Sequence, residues 1–128
     1  MAILLDTHAL LWWMIGDPRL SPNARAAVGA ESAEVFVSAA SAWELATKVR
    51  SGKLPAAARL THRLPESLVE QNFKPLAISL EHGRLGGLLP GAHRDPFDRI
   101  LAAQALLQDM TVVTSDPVFA AFGVKVLW

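Results

Sequence analysis

The 128-residue sequence predicts a three-layer α/β/α fold on a central parallel sheet, and three observations predict it. Short apolar runs with no polar face, such as Ala2–Leu5 and Val35–Val37, read as strands buried on both sides, as strands of a parallel sheet are. Segments of helical length and patterning separate those runs, the alternation expected of βαβ units. Cap and turn residues fall where the pattern changes. The length suits one domain, residues 1–128, with a single proper core.

Taken in order, Ala2-Ile3-Leu4-Leu5 is a central strand ending at Asp6, and a helix follows over Ala9–Met14. Asp17–Pro22 is a turn into a second helix, with Ser21 as cap, Pro22 in the first position and Gly29 as stop. Val35–Ser38 is the second strand, followed by a helix over Ala40–Arg50 that carries Glu44 and ends near Ser51-Gly52. Pro55–Gln71 is helical with a break near Pro65, and Phe73–Leu76 is an edge strand, since proline is tolerated there. Ser79–Leu85 is helical, and Gly86–Gly91 is a loop leading to Asp95-Pro96-Phe97-Asp98. There Asp95 caps, Pro96 takes the first helical position and Asp98 the third. The helix that follows is apolar nearly all round and is therefore expected to be buried. Thr111–Thr114 is a β-branched strand ending at Ser115-Asp116, and Val124–Leu127 is the last strand.

Composition excludes several classes of function. Hydrophobic residues are 52% and charged residues 19%, a globular and not a disordered balance. Lys+Arg and Asp+Glu are equal at 12 each, so attraction to nucleic acid or membrane can come only from local clustering. The absence of Cys removes disulfides, thiolate metal sites and a Cys nucleophile. No basic segment precedes an apolar one at the amino terminus, and the longest apolar run, Ala9–Ile15, is too short to span a bilayer. A soluble, cytoplasmic protein is expected.

The acids carry the chemistry. In open parallel sheets ligands bind beyond the carboxyl ends of the strands. Asp6 and Asp116 each follow a strand directly, Glu44 lies about two turns into a helix that follows one, and Asp98 and Asp95 open another helix. Singly, each reads as well as a cap or turn former. Together they crowd like charges that repel unless a cation holds them. Oxygen ligands without Cys or paired His suit Mg²⁺ or Mn²⁺, ions that promote in-line hydrolysis of phosphodiesters.

Asp6-Thr7-His8, Ser41-Ala42-Trp43-Glu44-Leu45, Asp98-Arg99-Ile100-Leu101-Ala102-Ala103-Gln104-Ala105 and Thr114-Ser115-Asp116 stand in an order and spacing that resemble the PIN-domain ribonucleases. Among these the chain looks most like the VapC toxins of bacterial and archaeal toxin–antitoxin pairs. Each motif is short, the ordered set is specific, and the match covers essentially the whole chain. The resemblance implies a PIN-like fold and a metal-dependent endoribonuclease. Asp6, Asp98 and Asp116 would be the metal ligands, with Asp116 alternatively a support behind the others, and Glu44 would help to hold the metal or its water. By the same likeness Thr114 and Ser115 steady the Asp116 corner, and Thr7 steadies Asp6. Asp95 is extra to the minimal pattern, a helix cap or a second metal or water contact. His93 and His8 are phosphate contacts, proton carriers or plain polar lining.

RNA is the substrate that the resemblance implies. Lys48, Arg50 and Lys53, with Arg59 and Arg63, form an acid-free basic run after Glu44 that reads either as a backbone-holding face or as an ordinary solvated one. Leu10, Leu11, Trp12, Trp13 and Met14 exceed what one helix needs to face a core, so the helix is fully buried or presents a contact surface. The resemblance further implies a homodimer and a cognate VapB-like antitoxin, which lays a peptide in an apolar groove and points a cation at the acids. Two rival readings compete with this one. A phosphohydrolase using Asp6 as nucleophile wants a second Asp two residues on, where His8 stands. A catalytically inactive PIN-fold binding module keeps the fold without turnover.

Overall fold

The computed structural model describes residues 1–128 and contains one five-stranded sheet, all parallel, in the order β3-β2-β1-β4-β5. These strands are β1 (Ala2–Leu5), β2 (Glu34–Ser38), β3 (Lys74–Leu76), β4 (Thr111–Val113) and β5 (Val126–Leu127). From β1 at the centre the chain builds first toward β2 and β3, then crosses to β4 and β5 on the other side. That reversal puts a topological switch point between β1 and β4, where open α/β sheets leave a crevice at the carboxyl edge.

Strand alternation divides the core in two. Ile3, Leu5, Val35, Val37 and Val113 join the larger cluster with α1 (Thr7–Ile15), α2 (Pro22–Gly29), α4 (Ala58–His62) and α5 (Leu64–Glu70). Leu4 and Val112 point the opposite way, into a cluster with α7 (Pro96–Gln108) and α8 (Val118–Ala121), against which Leu85 of α6 (Leu80–Leu88) also packs. The sheet therefore has helices on both faces, the three-layer α/β/α arrangement. α3 (Ala39–Arg50) contributes Leu45 to the first cluster and Ala40 to the second. No helix is long and apolar enough to cross a membrane.

Several boundaries differ from the sequence expectation, each for a local reason. α1 begins at Thr7 and not at Ala9, because the Asp6 side chain caps it by accepting from the Ala9 amide at 2.7 Å. The break between α4 and α5 falls at Arg63; Pro65 sits in the first turn of α5, where its missing N–H costs nothing. Gly86, Gly87 and Leu88, expected in a loop, are the last turn of α6. Gly86 is there for close helix packing, since a Cβ would lie 3.1 Å from the Arg99 carbonyl oxygen of α7. α7 is not buried all round: Leu101–Ala105 are, whereas Leu106 and Leu107 are exposed. The short α8 had no sequence signal, and β5 is confined to Val126–Leu127. The surplus apolar residues of α1 go largely into packing. Trp13 stacks near Phe73 and donates to Gln71 at 3.0 Å, Trp12 packs on Trp128, and Ile15 is left exposed.

Candidate active site

At the carboxyl edge a cavity of about 410 Å³ is lined by Asp6, Thr7, His8, Trp12, Glu44, Lys48, Asp95, Asp98, Ser115 and Asp116. Four chain segments converge there for simple topological reasons. Asp6 leaves β1 at the edge, and Ser115 and Asp116 leave β4 beside it. α3 rises from the end of β2 without a break, carrying Glu44 inward. α7 leads back into β4 through two residues, so it runs against the strand and its amino end, with Asp95 and Asp98, lies at the same edge.

Each carboxylate is engaged by the chain itself. Asp95 caps α7, accepting from the Phe97 and Asp98 amides at 2.9 and 3.2 Å. Asp98 accepts from His93 Nε2 at 2.8 Å, and because a carboxylate only accepts, that nitrogen carries the proton. Asp116 accepts from the Val118 amide at 3.0 Å, while its own amide donates to the hydroxyl of buried Thr114 at 3.0 Å. Glu44 accepts from Thr7 Oγ1 at 2.6 Å and from Lys48 Nζ at 2.9 Å. Thr7, expected to steady Asp6, therefore steadies Glu44 instead, and the Thr114 hydroxyl is the one that bonds Asp6. With these local partners taken, no three acidic or histidine side chains are drawn together tightly enough to hold an ion as they stand.

Two of the acids pay for their position. Burial pushes the Asp6 carboxyl above the ordinary carboxylate range; the Thr114 hydroxyl, the Ala9 amide and His8 oppose this, and Glu44 adds to it. Burial raises Asp98 as well, opposed by the hydrogen bond from His93 and reinforced by Asp95 and Asp116. A carboxyl whose pKa is raised in the folded state holds its proton more tightly there. Its contribution to stability is intact below the unfolded-state pKa and is lost as pH rises through the folded one. Asp6→Asn keeps an oxygen to cap α1, so in chelator it is expected to unfold at higher temperature than the wild type at neutral pH. That gain should vanish below about pH 3.9, the ordinary Asp pKa, where both states are protonated. Thermal unfolding at the two pH values checks it; an equal gain at both would show that charge is not the cause.

The structure brings together most of the residues singled out in the sequence. Asp6, Glu44, Asp95, Asp98, Asp116, Thr7, Ser115, His8 and Lys48 line the cavity, Thr114 lies behind it, and His93 reaches it through Asp98. Arg50 and Lys53 do not line it, and Arg59 and Arg63 line a different cavity with Met14, Ile15 and Glu70. Arg99 gave no sequence signal for its role. Its guanidinium donates to the Gly86 carbonyl at 2.8 Å, to the His93 carbonyl at 2.6 Å and to the Leu89 carbonyl, and it lies over the Phe122 ring. It thereby fastens the loop that delivers Asp95 and Asp98.

A parallel α/β/α fold with an acid-lined crevice at its strand switch point places the candidate site where open α/β sheets bind their ligands. The chain belongs to the PIN domain family, whose profile matches residues 3–125. Among solved structures it is similar to VapBC2 from Rickettsia felis bound to a DNA fragment from their promoter. That match has 17% identity, 98% of this chain and 97% of that chain covered, and a TM-score of 0.71. It is also similar to FitAcB from Neisseria gonorrhoeae, at 27% identity with 97% and 95% covered and a TM-score of 0.66. VapBC-1 from nontypeable Haemophilus influenzae matches at 15% identity, with 98% and 96% covered and a TM-score of 0.67. No curated protein sequence matches the chain significantly.

Proposed function

We propose that the chain is a single PIN-type domain acting as a metal-dependent endoribonuclease, the VapC-like toxin of a toxin–antitoxin pair. The observation that carries this reading is the convergence of five carboxylates from four chain segments on one cavity at the strand switch point. The donor set is oxygen-only, and burial leaves Asp6 and Asp98 with charges that the protein stabilises poorly, which suits a hard cation such as Mg²⁺ or Mn²⁺. Asp6, Asp98 and Asp116 are the residues that would hold it. When bound, such an ion supplies Lewis-acid polarisation of a phosphodiester and of the attacking water.

The chain's own residues do the rest. The α1 cap orients Asp6, Thr114 holds the Asp116 corner through the Asp116 amide, and Ser115 lines the cavity beside it. His93 holds Asp98 and keeps a proton at Nε2. His8, exposed at the rim, faces an incoming phosphate.

A partner of the VapB kind, and a homodimer, belong to the same reading. The similarity to VapBC and FitAB structures supports the partner, as does an apolar groove of about 510 Å³ bounded by Ala42, Leu64, Leu68, Val69, Phe73 and Leu76. The test is incubation of the purified chain with RNA and Mg²⁺ or Mn²⁺. Internal cuts that stop on chelation are expected. No cleavage by wild-type protein, with tight partner binding retained, would favour the inactive binding module instead.

A further inference from the structure

We propose that Lys48 is the permanently charged phosphate contact of the acid cavity, held at its mouth by Glu44, with Thr7 anchoring Glu44 from the other side. This rests on the nuclease reading above and assigns a substrate contact within it. The hydrogen bonds define the order of the relay. Thr7 Oγ1 lies 2.6 Å from Glu44 Oε1 and 3.1 Å from Ser41 Oγ. A hydroxyl has one proton, and a carboxylate can only accept, so Thr7 donates to Glu44 while Ser41 donates to Thr7. Glu44 Oε2 then takes Lys48 Nζ at 2.9 Å. Both oxygens of this buried acid are thus committed to groups of the chain, one on α1 and one on its own helix.

An exposed Glu-to-Lys pair four residues apart is an ordinary helix-surface feature of little energetic weight. This pair differs in placement. The Glu44 side chain is only 12% accessible, whereas that of Lys48 is 34% accessible, so the ammonium stands where the pocket meets solvent. It is also the one Lys or Arg lining a cavity with five carboxylates. A polyanion approaching that mouth is repelled by surplus negative charge that one divalent ion does not cancel. Lys48 supplies a permanent positive charge on a flexible stem, able to meet a phosphate oxygen without the fixed fork geometry of Arg. Arg50 and Lys53, which do not line the cavity, cannot replace it there.

Counterion release gives a readout that a merely structural lysine would not move. Binding of a short, labelled, random-sequence single-stranded RNA is followed by fluorescence anisotropy across a salt series, with Ca²⁺ replacing Mg²⁺ to slow cleavage. Removing one phosphate contact is expected to lower the slope of log affinity against log salt by about 0.7 in Lys48→Met. Lys48→Arg, which keeps the charge, restores the slope. Direct Mn²⁺ binding measured by calorimetry does not weaken in Lys48→Met, because no metal ligand is lost and a neighbouring positive charge is removed. In the cleavage assay KM rises more than kcat falls.

An unchanged slope in a folded Lys48→Met protein would overturn the assignment, whether or not Mn²⁺ affinity drops. If the wild type binds and cleaves RNA while that slope is unchanged, only Lys48 loses its role. If the wild type neither binds nor cleaves, the nuclease reading and this one fall together.

Discussion

Asp98→Asn is expected to reduce RNA cleavage by more than about a hundredfold while leaving the protein folded. Losing a group that merely orients a metal ligand typically costs about 10–100-fold in affinity or activity, and Asp98 is proposed as a ligand itself. The fold should survive because the helix start does not depend on this side chain. Asp95 and Pro96 set the amino end of α7, and the one side-chain partner of Asp98 is His93. Asp6→Asn should fail equally in cleavage, for Asn can still cap α1 but cannot supply a negative oxygen. Asp116→Asn is expected to be the mildest of the three, since Asp116 is the most exposed of these acids and its carboxylate already accepts from the Val118 amide. Parallel cleavage assays on purified proteins, with circular dichroism as the folding control, read all of this. Cleavage by Asp6→Asn and Asp98→Asn at the wild-type rate would assign the activity to a contaminating nuclease.

The parts of this molecule that could be read from residue order are those encoded locally. Ile3, Leu4 and Leu5 have no polar face because the central strand has a helix layer on both sides, and that pattern needs no knowledge of the fold. Asp95-Pro96-Phe97-Asp98 announces a helix start because capping chemistry acts within four residues. The convergence of the acids followed from the rule that ligands sit at the carboxyl edge of a parallel sheet. What resisted reading depends on partners far away in the chain. Gly86-Gly87 looks like a loop until α7 is seen to press on Gly86, which turns a helix-breaking residue into a packing requirement. The Glu44–Lys48 pair is visible as an i, i+4 spacing, but nothing in that spacing says which way the pair faces. The split of the basic run between two cavities likewise depends on where α4 and α5 fold back. Arg99 was the least legible, because its partners are backbone carbonyls, which every residue carries.

Arg99→Ala is expected to cost about 3 kcal/mol of stability. Three carbonyls accept from one guanidinium, and hydrogen bonds to a charged group are worth roughly 1.5–3 kcal/mol each. The sum is not realised in full, since His93 is only partly buried and its carbonyl can turn to water, whereas Gly86 and Leu89 are buried. For a chain of this length such a loss corresponds to a fall in Tm of roughly 10 °C. Arg99→Lys should recover only part of it, because an ammonium on a flexible stem does not present the planar fork that spans three acceptors. Thermal unfolding of the two variants measures the stability effect, and a fall of less than about 1 kcal/mol in Arg99→Ala would show that the carbonyls find other donors. The functional effect separates from the stability effect below the melting range. Arg99 ties the loop from Leu89 to Asp95 to α6 and α7, alongside the His93–Asp98 hydrogen bond and the Asp95 cap, and Asp98 follows that loop directly. Loosening that tie leaves the acids present but poorly aimed, so Arg99→Ala is expected to lose cleavage rate at temperatures where it is still fully folded. Divalent-ion binding should weaken in parallel, because a ligand at the loosened amino end of α7 must be ordered each time the ion binds.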